Sequence, residues 1–403
     1  MEKTLLYTLI VVMIFCSCHQ PQKQAQKQAA PSNRNYATDR DFLKKYSGHL
    51  IELQSPDSQS RVLLSADYQG RVMTSTATGD SGLSFGWINY KLIESGERKR
   101  QFNPVGGEER FWLGPEGGQY GIYFKKGDSF NIGHWQVPPV IDTESYDLSS
   151  SDGQQAVFRK RTSLDNSSGS HFELNIERKI ALLDRNQIED KLHLRLPGTV
   201  HAVGFETDNS IVNSSDKAWN KEGGLLSIWL LGMMTPGPDT KILIPFLPVK
   251  NARDLITDNY FGKIAPDRLK VGDSLLIFTC DGHSRGKLGL SPLIAKGMAA
   301  SLDYKNNTLS IILFPVDRQG LYVNSKWELQ KEPFKGDVVN SYNDGPLADG
   351  TQMGPFYEIE SSSAAKELKP GEKEEHIQTT IHLQGDLKSL KSIAQQLLGA
   401  EFK

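Results

Sequence analysis

The chain has 403 residues and 38% hydrophobic content, enough for one large core or two ordinary ones. With 46 basic against 48 acidic side chains, it carries no cationic excess to displace counterions, which excludes an electrostatic grip on nucleic acid. Its 36 glycines and 19 prolines suit a turn-rich globular protein and exclude a helical bundle.

Lys3 and the apolar run Leu5 to Phe15 have the order of a secretory signal: a charged start, then a stretch too short to span a bilayer. Residues 1–17 are therefore set apart from the fold as a signal peptide. FCSC follows, with small Ser17 directly before Cys18, an arrangement similar to a bacterial lipobox. Cys18 is then the residue lipidated and left as the mature N-terminus. Secretion with a free Cys18 is the alternative. Residues 18–40 are rich in Gln, Lys and Ala with no apolar face, and read as a flexible tether. The expectation is an exported protein, anchored to a membrane by lipid and facing the periplasm or the cell surface. Cys280 would be the thiol left in the mature domain, so no internal disulfide forms and the core must supply the stability.

Further on, DRDFLKKY predicts a short helix, after which period-two alternation takes over. HLIELQ, RVLLSADY, RVMTSTA and FGWINYKLI predict short strands separated by Ser, Asp, Gly or Pro. HFELNIERKIALL and QIEDKLHLRL continue the pattern, the first with Phe172, Leu174 and Ile176 on one face, the second with Leu192, Leu194 and Leu196. GLLSIWLLGM, KILIPF, SLLIFTC, MAASLDY, TLSIILF, YVNSKWEL, FYEIESSS and HIQTTIHL follow as strands, and SLKSIAQQLL closes the chain as a helix. So many strands with so few helices exclude a βαβ architecture. No blade-length repeat suggests a propeller, and no linker divides the strands after residue 40. The predicted fold class is all-β: one large antiparallel β-sandwich over residues 41–403 with a short C-terminal helix.

GGEERFWLGPEGGQY (106–120) places Arg110, Trp112, Glu116 and Gln119 between glycine pairs, too dense for a surface turn and too polar for a core strand. Glycines let a backbone approach a ligand or take positive φ. A flat indole beside a guanidinium fork and a carboxylate can hold a pyranose, stacking its C–H face and bonding its hydroxyls. An internal Arg–Glu pair under a buried Trp at a sandwich corner is the plainer reading. GGEERFWLGPE resembles the GG…R(F/L)W…PE motif of the galactose mutarotase-like superfamily, and FYEIESSSAAKELKPGEKEEHIQTTIHL is similar to its closing strand–loop–PGE–strand motif. VGFETDNSIVN, LLSIWLLGMMTPGPDTKILIPF, NYFGKIAPDRL and GDVVNSYNDGP resemble blocks of a domain-of-unknown-function family of bacterial lipoproteins with this fold. The resemblance covers Asp41 to Asp386 and implies a large β-supersandwich with a carbohydrate site on the concave face of its sheet.

In mutarotases, the resemblance implies, a carboxylate takes the proton of the anomeric hydroxyl and a histidine protonates the ring oxygen. Glu360, upstream of the turn at Pro370, matches the position of the glutamate base, and Glu358 shares its face by strand periodicity. Solvent-face carboxylates of a strand would look the same. The histidine expected before a Tyr-Phe-Asn run is absent as such; His201, His134 and His283 are the candidates for the acid, each also readable as structural. A polar rim is expected from Glu206 and Asn209 in ETDN and from Tyr342 and Asn343 in the loop NSYNDGP, with Lys326 and Trp327 as a further stacking pair. Asp344 and Asp349 match no Ca²⁺ loop and no nucleotide-binding or zinc-protease motif occurs, so neither metal nor cofactor is expected. The functional expectation is an exported lipoprotein acting on carbohydrate by mutarotase- or epimerase-like acid–base chemistry. A non-catalytic glycan-binding lipoprotein of the same fold is the alternative, and a purely structural lipoprotein stands behind both.

Overall fold

Alternating strands have one face to bury, and antiparallel pairing lets each do so against a neighbour reached by a short turn. The computed structural model describes residues 35–402. The expected signal peptide, Cys18 and the tether before residue 35 lie outside the described residues. Helix α1 (Tyr36–Tyr46) is capped by Asn35, whose side chain accepts from the Thr38 N–H. Its first residue, Tyr36, is fully buried, so the folded domain takes in the end of the expected tether and starts ahead of residue 41.

Strands β1 (Leu50–Gln54), β2 (Arg61–Ser65) and β3 (Arg71–Thr76) come next, then helix α2 (Tyr90–Ser95) and β4 (Arg110–Gly114). A short helix, α3 (Pro139–Asp142), leads to β5 (Asp147–Ser151), β6 (Gln155–Asp165) and β7 (His171–Leu183). Helix α4 (Arg185–Leu192) precedes β8 (His201–Asn213), β9 (Ser227–Met234) and β10 (Lys241–Pro245). The chain continues through β11 (Ile256–Thr257), β12 (Leu269–Val271), β13 (Leu275–Thr279) and β14 (Gly286–Leu290). β15 (Met298–Asp303), β16 (Thr308–Leu313), β17 (Val339–Asn343), β18 (Tyr357–Ser362) and β19 (Lys373–Gln384) complete the strands, and helix α5 (Leu387–Leu398) follows.

Five segments depart from the sequence expectation. QIEDKLHLRL is not a strand: Asp184 and Gln187 form a reciprocal capping box that starts α4, and His193 ends it in the left-handed region. NSYNDGP is not a loop at Tyr342, since Tyr342 and Asn343 belong to β17. RFWLG, polar as it is, forms β4. YVNSKWEL and the start of FGWINYKLI make only isolated bridges, at Tyr322 in the first and at Gly86 and Ile88 in the second.

Two sheets carry the fold, both antiparallel. A ten-stranded sheet runs β12-β13-β10-β15-β16-β19-β8-β7-β6-β5, here called the back sheet, and a six-stranded one, the site sheet, runs β11-β14-β17-β18-β9-β4. A three-stranded sheet, β1-β2-β3, flanks them. Phe111, Ile228, Leu230, Ile359 and Leu288 on the inner face of the site sheet pack into the same apolar clusters as Ile176, Phe205, Ile211 and Ile244 of the back sheet. The outer face of the back sheet is covered by α4 and α5, which bury Ile188, Leu390 and Ile393 against Leu243, Ile311 and Ile381.

Between the sheets lies a buried ion pair. Arg178 Nη2 of β7 meets Glu109 Oε1 at 2.8 Å, both side chains fully buried. Arg178 Nε donates to Asn209 at 2.9 Å, while Thr207 and Gln378 donate to the other Glu109 oxygen at 3.2 and 2.9 Å. Burial pushes the Glu109 carboxyl up to about 7, against the pull of Arg178. Removing one partner strands a charge in the interior, so Arg178→Met is expected to lower the unfolding free energy by about 3–5 kcal/mol. Urea denaturation checks this, and the double variant Arg178→Met/Glu109→Leu should recover most of the loss.

Candidate functional site

Strand alternation decides which side chains leave the core. In β4, Phe111 and Leu113 point inward, which turns Arg110 and Trp112 to the opposite face. Register carries the same face across the sheet: Trp112 lies opposite Trp229, Arg110 opposite Leu231, and Leu231 opposite Glu360. Glu360 is opposite Asn340, and Glu358 opposite Tyr342, which is opposite Lys287. One outer face of the site sheet thus gathers an arginine, a lysine, two glutamates and two tryptophans from strands far apart in sequence.

Those charges are paired. Lys287 Nζ lies 2.9 Å from Glu360 Oε2, and Trp229 Nε1 donates to the same oxygen at 2.9 Å. Arg110 is ion-paired to Glu358 and sits 4.8 Å over the Trp112 ring. The Lys287 ammonium rests 4.6 Å from the Trp229 ring centroid. Burial opposes the charge on Lys287, but the carboxylates of Glu360, Glu116 and Glu358 prevail and hold it above its usual value. Burial pushes the Glu358 carboxyl up to about 7, with Arg110 pulling it down and Glu360 adding to the rise. Glu360 Oε1, Arg110 Nε and Nη1, and Trp112 Nε1 are buried without a partner within the described chain, so hydrogen-bonding capacity is left unused at this floor.

Above the floor opens a cavity of about 850 Å³. Lys287 and Tyr342 reach it from the sheet; Glu116, Trp135, Tyr260, Arg285 and Trp327 reach it from the connecting segments. Trp135 and Trp327 stack with centroids 5.9 Å apart, and Trp135 Nε1 donates to Glu116 Oε1 at 2.9 Å. Burial raises the Glu116 carboxyl against the pull of Lys287. Tyr260 donates to Asp337 Oδ2 at 2.6 Å and stands 5.7 Å from the Lys287 ammonium, measured at its ring centroid.

The glycines of LGPEGGQY serve the wall. An added Cβ at Gly117 would come within 2.6 Å of the Lys326 carbonyl, and one at Gly118 within 2.5 Å of the Gln330 side chain. Gln119 completes the clamp, donating to the Gln330 carbonyl at 2.9 Å and accepting from its N–H at 3.0 Å. Together they fix segment 324–330, which carries Lys326 and Trp327 into the cavity.

Of the residues singled out in the sequence, Glu116 and Tyr342 line the cavity, as do Lys326 and Trp327. Arg110, Trp112, Glu358 and Glu360 lie beneath it, buried. Gln119 acts from behind the wall. Asn343 faces away from it, its side chain clasping the turn at Gly282 and Ser284. Glu206 and Asn209 belong to the back sheet, Glu206 paired with Lys191 and Asn209 with Arg178. His201 starts a back-sheet strand, His283 sits on an exposed turn, and His134 bonds to Ser129; all three are exposed and none lines the cavity. Lys287, Trp135, Tyr260 and Arg285 went unmarked in the sequence. The signal for Lys287 is a lysine inside GKLGL, a short apolar strand where a charge needs a buried partner.

The raised Glu358 carboxyl has a consequence for pH. Its folded value lies above the ~4.3 of a free glutamate, so the folded state binds more protons between the two. That contribution to stability is full below the unfolded value and is lost as pH rises toward about 7. Wild-type unfolding free energy, relative to Glu358→Gln, is expected to fall by up to ~1.4 kcal/mol per pH unit over this range. Urea midpoints at successive pH values measure it, and parallel curves for the two proteins would show Glu358 ionised throughout.

A family model described as "Family of unknown function (DUF6786)" matches residues 34–403. No curated protein matches the sequence. Among solved structures, the chain is similar to a provisionally assigned aldose 1-epimerase from Escherichia coli K12 at 9% identity and a TM-score of 0.49, over 84% of this chain and 100% of that one. The Slr1438 protein from Synechocystis sp. PCC 6803 aligns at 11% identity and a TM-score of 0.48, over 84% and 96%. A galactose mutarotase-like protein from Lactobacillus casei ATCC 334 aligns at 11% identity and 0.47, over 83% and 100%.

Proposed function

The chain belongs to the DUF6786 family, and we propose that it binds a carbohydrate in the cavity over its site sheet. The observation that carries this is the Trp135–Trp327 stack beside the Glu116 carboxyl and above the Lys287 ammonium. Indole faces take the C–H side of a pyranose, while a fixed carboxylate and ammonium take its hydroxyls. A cavity of about 850 Å³ with an aromatic wall and a few convergent polar groups is the usual form of a small-ligand site.

Acid–base chemistry on the sugar is the second reading, favoured by one feature. Glu116, its carboxyl raised by burial, and Lys287, its ammonium held by carboxylates, share one cavity, which offers a titratable carboxyl and a cation to the same ligand. Glu360, the base implied by the family resemblance, has one oxygen occupied by both Lys287 and Trp229 and is fully buried. Its other oxygen, Oε1, has no partner within the described chain and is the one left for such a role. Export with a lipid on Cys18 belongs to the same proposal and rests on the N-terminal sequence; metabolic labelling with palmitate should mark the wild type and not Cys18→Ser.

Proton NMR of the full chain with a panel of mono- and oligosaccharides tests the reading. Binding should appear as line broadening, and Trp327→Ala should weaken it about tenfold or more, since a buried aromatic contact contributes about 1.5–3 kcal/mol. Accelerated exchange between anomers, or a new epimer, that Glu116→Gln or Glu360→Gln abolishes would make the protein an enzyme and name its base. A panel that leaves every signal unchanged would refute the carbohydrate reading.

A further inference from the structure

The charges around the cavity are unequal. Its lining holds five cations, Lys99, Arg100, Arg285, Lys287 and Lys326, against three carboxylates, Glu116, Glu328 and Asp344, in a chain of net charge −2. Lys287 is matched by Glu360. The other four cations form no ion pair among the described residues. Two of the three carboxylates are engaged elsewhere: Glu116 accepts from Trp135, and Asp344 accepts from the Tyr342 hydroxyl at 2.6 Å and the Gly354 N–H at 3.0 Å.

Three of the cations converge on one aromatic corner, Tyr260–Phe261. The Arg285 guanidinium lies 3.9 Å from the Phe261 ring centroid, while the Lys287 and Lys326 ammoniums stand 5.7 and 6.0 Å from that of Tyr260. Arg285 Nε also donates to the Tyr342 hydroxyl at 3.3 Å, and its two Nη groups make no hydrogen bond within the described chain. A guanidinium whose plane is set by a ring and one Nε bond presents its remaining N–H fork in a fixed direction, the arrangement that suits a carboxylate or a sulfate. Like charges around a concave wall also focus their field into the cleft and raise the local concentration of anions.

We propose that the ligand is an acidic saccharide whose carboxylate or sulfate group sits at the Tyr260–Phe261 corner between Arg285 and Lys326. This rests on the carbohydrate reading and narrows it to a substrate class. A neutral sugar would use the Trp wall and leave the fork to water.

Calorimetric titration of the full chain with matched pairs decides it: glucuronate against glucose, galacturonate against galactose, and galactose 6-sulfate against galactose. The acidic member of at least one pair should bind about tenfold or more tightly, the margin expected of a charge-assisted fork. That advantage should shrink as salt rises from roughly 0.05 to 0.5 M. It should collapse in Arg285→Gln and in Lys326→Gln, read as the ratio of acidic to neutral affinity, which a general loss of folded protein would not change. A uronate or a sulfate preference identifies the anionic group, and either supports the proposal. Equal affinities within every pair, or a preference that survives both substitutions, would overturn it while leaving carbohydrate binding intact. Failure of every sugar to bind would overturn both.

Discussion

A carboxylate inside a closed sandwich needs a cation or hydrogen-bond donors to meet it, and three buried ion pairs between distant parts of the chain organise this protein. Glu109 with Arg178, Glu358 with Arg110, and Glu360 with Lys287 join segments that lie far apart along the chain. None can form before the sheets have assembled, so these pairs report correct closure more than they add to its free energy. Apolar burial between the sheets supplies the drive, and the pairs reject registers in which a charge would be left alone.

The candidate site follows from that constraint and from strand alternation. Every second residue of β4, β9, β17 and β18 belongs to the inner face, and the residues between them have nowhere to go but the outer face of the site sheet. A floor of paired charges and indoles results, rigid because each member is held by another. The connecting segments then close over it with Trp135, Tyr260, Arg285 and Trp327 and leave an open cavity. Floor and wall differ in kind: the floor is fixed by sheet register, the wall by side-chain clamps between loops.

That difference explains what was legible in the sequence. The sandwich was, because period-two runs such as HFELNIERKIALL and MAASLDY carry their own evidence. Glu358 and Glu360 were placed on one face correctly by the same periodicity, whereas RFWLG was too polar to be read as the strand it forms. QIEDKLHLRL misled because its leucine alternation is real while the Asp184–Gln187 cap upstream, a local hydrogen-bond exchange, decides the structure. The histidines stand off the cavity for a different reason: where a strand end, a turn or a loop lies relative to the cavity is set by the closed fold, and sequence position does not carry that. Lys287 and Trp135 owe their roles to partners such as Glu360 and Glu116, and only the closed fold reveals those.

The clamp between Gly117, Gly118, Gln119 and segment 324–330 has a further consequence. This strap lies outside the sheets and carries two residues of the cavity wall, Lys326 and Trp327, so it can be rewritten without shifting the register of any strand. The pocket therefore has two halves fixed by different means, a floor set by strand pairing and a wall set by a clamp that no strand pairing includes.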